Sequence, residues 1–326
     1  MRRRDVLAAF ISASVLPRPS VARAERSLAI IVPDLPGSAA GAAVRILQPY
    51  LEQSLARPVV LDFRPGAGGI LGLTAGARAA ADGATLTLLA PSLTLAPWLS
   101  RRMDCTPADF APLGRISFAP VALAVRADAP WAGVPDLLAR RAGHAEWAAP
   151  GPSDWDPSQV GQALFLARAG LSVRAVGGLS TPAARAEALL AGDVDLAFLP
   201  LEQVLDPAAA TRLRVLGVTG PARVPQLPTA PSLREAGFDI PVGAWRMLAV
   251  PAGSPRPVVE QLGGTLKAIV EDPQVRAELA DARLAPAWLG PAETGRTLDA
   301  EYREAGTLFA ALGLSVRKQV LGLGSG

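Results

Sequence analysis

Cysteine and histidine are almost missing from this chain of 326 residues. Cys105 is the only cysteine, so no internal disulfide can form and stability has to come from a buried core. A lone thiol gives no metal-ligand pattern either, and it reads as a small, partly buried residue. His144 is the only histidine, and no motif supports a Ser-His-Asp relay built on it. Walker, G-x-S-x-G, HExxH, EF-hand and CxxC patterns are absent. The loop Gly66-Ala67-Gly68-Gly69-Ile70-Leu71-Gly72 invites a dinucleotide reading, but that fingerprint needs its third glycine where Leu71 stands. No spacing singles out a pair of carboxylates. We therefore expect no catalytic residue, no metal and no cofactor.

Long apolar runs are also lacking after the first residues, so no membrane span of roughly 30 Å is expected in the mature chain. The net charge of +3 is unevenly placed. Residues 1–24 hold Arg2, Arg3, Arg4, Arg18 and Arg23 against Asp5, which leaves the remainder slightly acidic. Without a basic stripe on the folded part, nucleic acid is not an expected partner. The same residues read as a signal peptide: a charged start at Arg2–Arg4, an apolar stretch Val6–Leu16, and Ala22-Arg23-Ala24 as a small-x-small cleavage pattern. Cleavage near Glu25 implies a periplasmic location. Arg3-Arg4-Asp5-Val6-Leu7 resembles a twin-arginine signal, which would export the folded chain.

What is present is a hydrophobic half, enough for two lobes of ordinary size. The continuous apolar run at residues 28–33 predicts a strand buried on both faces. Val44, Leu47, Leu51 and Leu55 follow at helical spacing, then a strand at residues 58–63, a helix from Ile70 to Ala81, and a strand over Thr85–Ala90. That βαβαβ order predicts a parallel sheet flanked by helices. A second series of strands is expected at 121–125, 146–149, 173–176, 194–199 and 214–218, with helices over Ser158–Ala169 and Pro182–Ala191. A strand over Trp245–Val250 precedes Ser254-Pro255, an N-cap and first-turn pair, and helices follow it to the end.

Two loops stand at the carboxyl ends of parallel strands and open helices: Pro36-Gly37-Ser38, and Gly66-Ala67-Gly68-Gly69. Ligands of open α/β sheets bind there. Helix N-termini present free N–H groups and partial positive charge, each contact with an anion being worth about 0.3–1 kcal/mol at an exposed site. Two such ends facing one cleft would suit a carboxylate. Equally, the glycines could serve only to make tight strand-to-helix turns.

The motifs resemble those of one family. Ile30-Ile31-Val32-Pro33-x-x-Pro36-Gly37 and Arg45-x-Leu47 resemble the opening of the Bug-type receptors of tripartite tricarboxylate transporters. Arg64-Pro65-Gly66-Ala67-Gly68-Gly69, Ala80-Ala81-Asp82-Gly83-x-Thr85-Leu86, Asp109-Phe110-Ala111-Pro112 and Pro251-Ala252-Gly253-Ser254-Pro255 continue the likeness to about residue 314. The resemblance implies a two-lobed type II periplasmic-binding-protein fold, a Venus flytrap in which each lobe is a mostly parallel sheet flanked by helices. Lobe one would be residues 27–124 with 248–326, and lobe two residues 125–247. It also implies a monomeric solute-binding receptor that captures a small carboxylate and delivers it to membrane transporter subunits. Pro36, Gly37, Ser38, Gly68, Gly69 and Ile70 would hold one carboxylate group through backbone amides and water, beside Ser92. Ser153 and Thr181 would add contacts from lobe two.

Lobe two departs from the family pattern. Gln159 takes the usual histidine position, Leu179-Ser180-Thr181-Pro182 stands where Tyr-Lys-Gly-Ser is usual, and Gly41 replaces the aspartate of amino-acid binders. The lost lysine removes a cationic partner. Asp154 and Asp156 would repel an anion if they face the cleft, and Trp155 could cover an apolar part of the ligand. Arg45, near the apolar helix face, reads as a structural ion-pair partner, Arg64 as a residue that orients the glycine loop, and Trp245 as core. Three alternatives stay open: a sensor that feeds a two-component kinase, a periplasmic hydrolase or isomerase, and a paralogue that has lost its ligand. The altered lobe two predicts a ligand less anionic than a tricarboxylate. In a thermal-shift screen, mono- and aromatic carboxylates should then stabilise the protein at least as well as citrate, and a clear preference for citrate refutes the expectation.

Overall fold

The apolar run Leu28–Val32 forms β1, at the centre of a parallel trio. β2 (Val59–Phe63) flanks it with Leu28 opposite Val59, and β3 (Thr85–Leu89) flanks it with Ala29 opposite Thr85. The computed structural model describes residues 27–139, 147–151, 156–311, 313, 315 and 316, so the expected leader, His144, Ser153, Asp154 and Trp155 lie outside it. Helix α1 (Ala39–Leu55) joins β1 to β2 and buries Val44, Leu47 and Leu51 on the sheet. Helix α2 (Ile70–Ala77) joins β2 to β3. It ends four residues earlier than the sequence suggests: the N–H groups of Arg78 and Ala79 close on Thr74 O and Gly76 O, and the chain turns to start β3. Helix α3 (Ser92–Leu99) follows β3 despite Pro97 within it.

The long strand β4 (Phe110–Arg126) then crosses the molecule. The sequence indicates only its last third, because Pro112, Gly114 and Pro120 interrupt the pattern; register shifts at residues 112–117 absorb two of them. Beyond β4 come α4 (Val134–Ala139), β5 (Trp147–Pro150), α5 (Pro157–Ala169), β6 (Val173–Val176), α6 (Pro182–Ala191) and β7 (Leu196–Pro200). Two four-residue helices, α7 (Leu201–Val204) and α8 (Pro207–Ala210), lead to β8 (Leu213–Val218). The return strand β9 (Gly243–Pro251) pairs antiparallel with β4 from Phe110 to Pro120 and with β3. Helices α9 (Arg256–Glu271) and α10 (Pro273–Asp281), strand β10 (Pro286–Leu289) and helix α11 (Pro291–Ala311) complete the chain. Helix α9 starts after Pro255, not Ser254, and the buried Ser254 hydroxyl finds no partner.

One sheet runs β10-β4-β9-β3-β1-β2. From Val121 onward β4 changes company and pairs with β7 and β8. The parallel pair β5-β6 lies beyond. Thus β4 and β9 are the shared spine of two lobes. Helices α3 and α11 reinforce the junction: Trp98 donates to Tyr302 O at 2.9 Å, and Leu95, Trp98 and Phe309 share one apolar cluster with Phe165 and Phe198.

At the crossing, Gly243 lies opposite Pro120. A methyl there would come within 2.6 Å of the Phe118 ring and 2.8 Å of Ala119 O. Gly243→Ala should therefore cost about 1–3 kcal/mol through overpacking. Urea unfolding would show this as a lower midpoint at unchanged slope; an unchanged midpoint would mean that the crossing has slack.

Candidate functional site

The three loops at the carboxyl ends of β1, β2 and β3 share one cavity of about 950 Å³ with β9 and the start of α5. Its walls include Asp34, Ala40, Gly68, Ile70 and Ser92 from one lobe, and Asp156 and Pro157 from the other. Ala244, Trp245 and Arg246 form its floor.

The β1–α1 loop is held from within. Ser38 caps α1 by accepting from Gly41 N at 3.1 Å, and its own N–H donates to Leu35 O. Arg45 donates to Pro36 O, and its guanidinium lies 5.2 Å from the Phe63 ring centre. Its partners are a carbonyl and an aromatic face, not the acid that the sequence suggests. A Cβ on Gly41 would sit 2.5 Å from Pro36 O, so no aspartate could stand there without moving this loop. Pro36, Gly37 and Ser38 shape the loop but are not among the residues that line the cavity.

The glycine loop is a run of left-handed residues, with φ of 66° at Gly68 and 92° at Gly69, which only glycine adopts readily. Gly69 is buried, and a Cβ there would lie 3.1 Å from Ser92 Oγ. The two loops are therefore packed against each other. Gly69 N–H donates to Gly66 O, and Ile70 N–H to Ala67 O. Those two amides are used within the loop, while Gly68 stays exposed at the cavity wall beside Ile70 and Ser92. Arg64 pairs with Asp62 at 2.8 Å at the loop's start.

Across the cavity, Asp156 caps α5 by accepting from Ser158 N and Gln159 N. It also receives the buried Arg185 guanidinium from α6. Asp156 does face the cleft, but this pairing and capping occupy its charge, so the repulsion expected from sequence is muted. Nε and Nη1 of Arg185 have no hydrogen-bond partner. Thr181 caps α6 through Ala184 N at 3.1 Å and lies off the cavity lining. Gln159 turns inward and donates to Gly151 O at 2.9 Å. Ser153 lies outside the described residues.

Two functional candidates went unnoticed in the sequence. Arg246 is the only charged residue of β9, between Trp245 and Met247, and a charge inside an apolar strand was the available signal. Burial pushes its pKa down, offset in part by the charges of Glu202 and Asp34, yet an arginine stays cationic. Glu301 of α11 gave no signal. It lies half-buried beneath the floor, where Trp245 Nε1 donates to it at 2.6 Å. Thr94 Oγ1 is 3.2 Å from its other oxygen and 2.9 Å from Pro91 O. Desolvation raises the Glu301 pKa to about 8, against the lowering effect of Trp245 and Thr94. A neutral acid satisfies this chain: Glu301 donates to Thr94, Thr94 donates to Pro91 O, and Trp245 donates to the Glu301 carbonyl oxygen. Trp245 is thus core, as its position suggests, and part of the cavity floor as well.

Residues 43–314 match the family model of the tripartite tricarboxylate transporter family receptor. The UPF0065 protein in the tcbD-tcbE intergenic region of Pseudomonas sp. is 32% identical over 289 residues, covering 84% of this chain and 83% of that protein. The crystal structure of a TctC solute binding protein from Polaromonas, without ligand, is similar with a TM-score of 0.81 at 24% identity, over 88% of this chain and 99% of the other. R. palustris Rpa4515 with adipate gives a TM-score of 0.71 at 24% identity, over 89% and 98%. The architecture is the two-lobed one of such binding proteins. Among the described residues no helix is long and apolar enough to cross a membrane.

The neutral Glu301 sets a pH dependence. Its folded-state pKa of about 8 lies above the ordinary 4.5, so the folded protein binds the extra proton and loses stability as pH rises through that window. Glu301→Gln can keep both hydrogen bonds without the ionisable proton. Its Tm should match the parent below pH 4.5 and exceed it increasingly towards pH 8. Thermal melts across this range check it, and a Tm difference that does not change with pH contradicts it.

Proposed function

Because the chain belongs to the tripartite tricarboxylate transporter receptor family, we propose that it captures a small carboxylate between its lobes and delivers it to the membrane subunits of such a transporter. The family is one of receptors, so the work is binding and release, with no bond made or broken. The observation that carries the reading is the cavity of about 950 Å³ at the carboxyl ends of β1, β2 and β3, walled by both lobes and floored by a crossing strand. In this reading lobe one comprises residues 27–124 and 248–326, and lobe two residues 125–247. Gly68, Ile70 and Ser92 meet one carboxylate group directly, and Pro36, Gly37, Ser38 and Gly69 hold the loops that present it. Ser153 and Thr181 belong to the closing side. The leader over residues 1–24 directs a monomer to the periplasm, by the general secretory route or, as Arg3-Arg4 allows, the twin-arginine one.

The filled space at Gly41 supports a ligand without an ammonium group, since the aspartate expected of amino-acid binders has no room there. The adipate bound to R. palustris Rpa4515 is a ligand of the proposed class.

Isothermal titration with aliphatic carboxylates tests this function. One molecule should bind per chain, the radius of gyration from small-angle scattering should shrink as the lobes close, and NMR should recover the acid unaltered. A chain that converts the acid, or that binds no carboxylate, would rule the function out.

A further inference from the structure

Two cations line the cavity: Arg102, exposed at its rim, and Arg246 on the floor, whose bonding is incomplete. The Nε of Arg246 is buried without a hydrogen-bond partner. Among the described residues no acid comes within 4.0 Å of its guanidinium. Asp34 on the β1–α1 loop and Glu202 on α7 act on it only through their charge. Asp34 already accepts from Leu35 N at 2.7 Å, and Glu202 is exposed. A guanidinium presents five N–H donors in a rigid fork, and a buried one without an acceptor is costly to keep. The fork matches the two oxygens of a carboxylate. The cavity lining also carries an apolar part, Ile70, Leu95, Ala96 and Trp245, beside the polar Ser92 and Ser100 and the charged Asp34, Arg102 and Asp156. The apolar part suits methylene groups.

We propose that Arg246 is the seat of a second anionic group, so that the ligand is an aliphatic acid with a carboxylate at each end. This rests on the lobe-one loops holding the first carboxylate, as proposed above. The second end is then gripped by the crossing strand β9, not by lobe two. The cation missing from the Leu179-Ser180-Thr181-Pro182 loop is replaced on the floor, from a different element.

The test titrates the full chain with α,ω-diacids from succinate to sebacate and with the monoacids of equal chain length. The parent should bind its best diacid about 10- to 100-fold more tightly than the matching monoacid, the effect of charge-assisted hydrogen bonds. In Arg246→Gln that ratio should fall to near one, and Arg246→Lys should keep part of it. The ligand-free Arg246→Gln protein should melt no lower than the parent, because a half-buried charge with an unpartnered Nε has been removed; a clear loss of Tm would show a structural role instead. A parent that binds monoacids and diacids equally overturns the Arg246 seat while leaving the carboxylate receptor intact. Failure to bind any acid overturns the receptor function itself. If Asp34→Asn or Glu202→Gln reduces the diacid preference as much as Arg246→Gln does, the arginine serves as a latch between lobes, and the seat is refuted.

Discussion

The antiparallel pairing of β4 with β9 is the constraint on which the rest depends. β4 runs for 17 residues and belongs to two sheets in turn, with β9 and β10 along its first part and with β7 and β8 after Val121. Whatever moves one lobe relative to the other has to bend these two strands. Their close approach at Gly243 leaves no room for a side chain. The same strands carry Trp245 and Arg246 to the cavity floor.

Charge around the cavity is arranged in three different ways. Asp156 is compensated by Arg185 and by the start of α5. Glu301 is neutralised by a proton, because desolvation makes its charged form expensive and outweighs the lowering effect of its hydrogen bonds with Trp245 and Thr94. Arg246 can shed no proton and has no acid at bonding distance among the described residues, so its charge faces the cavity. Backbone geometry supplies the rest of the site. The run of left-handed residues at Ala67, Gly68 and Gly69 lets the glycine loop lie flat against Ser92.

Much of the fold was legible. Continuous apolar runs marked β1, β2 and β3, and helical spacing marked α1 and α9, since burial on both faces or on one stripe leaves a periodic trace. The first part of β4 was hidden, because Pro112, Gly114 and Pro120 break the pattern that bulges later accommodate. Helix α3 was hidden behind Pro97, and β10 is short and only half-buried. In the site, the glycine loop could be read because left-handed backbone demands a particular residue. The family resemblance names Ser38 and Thr181 as ligand contacts; in the structure their hydroxyls cap α1 and α6, a use that the motif match alone does not reveal.

The sequence by itself determined the class of architecture, the family and the glycine loop at the cavity, because these rest on local periodicity, on short motifs and on glycine positions a few residues apart. Only the tertiary structure decided which charges matter. Asp156 meets Arg185 across 29 residues, and Trp245 meets Glu301 across 56. Arg246 looks like a single irregular residue in an apolar strand until the crossing of β4 and β9 turns it into the floor of the cavity. Whether a buried charge is paired, neutralised or left for a ligand depends on neighbours that only folding brings within a few ångströms.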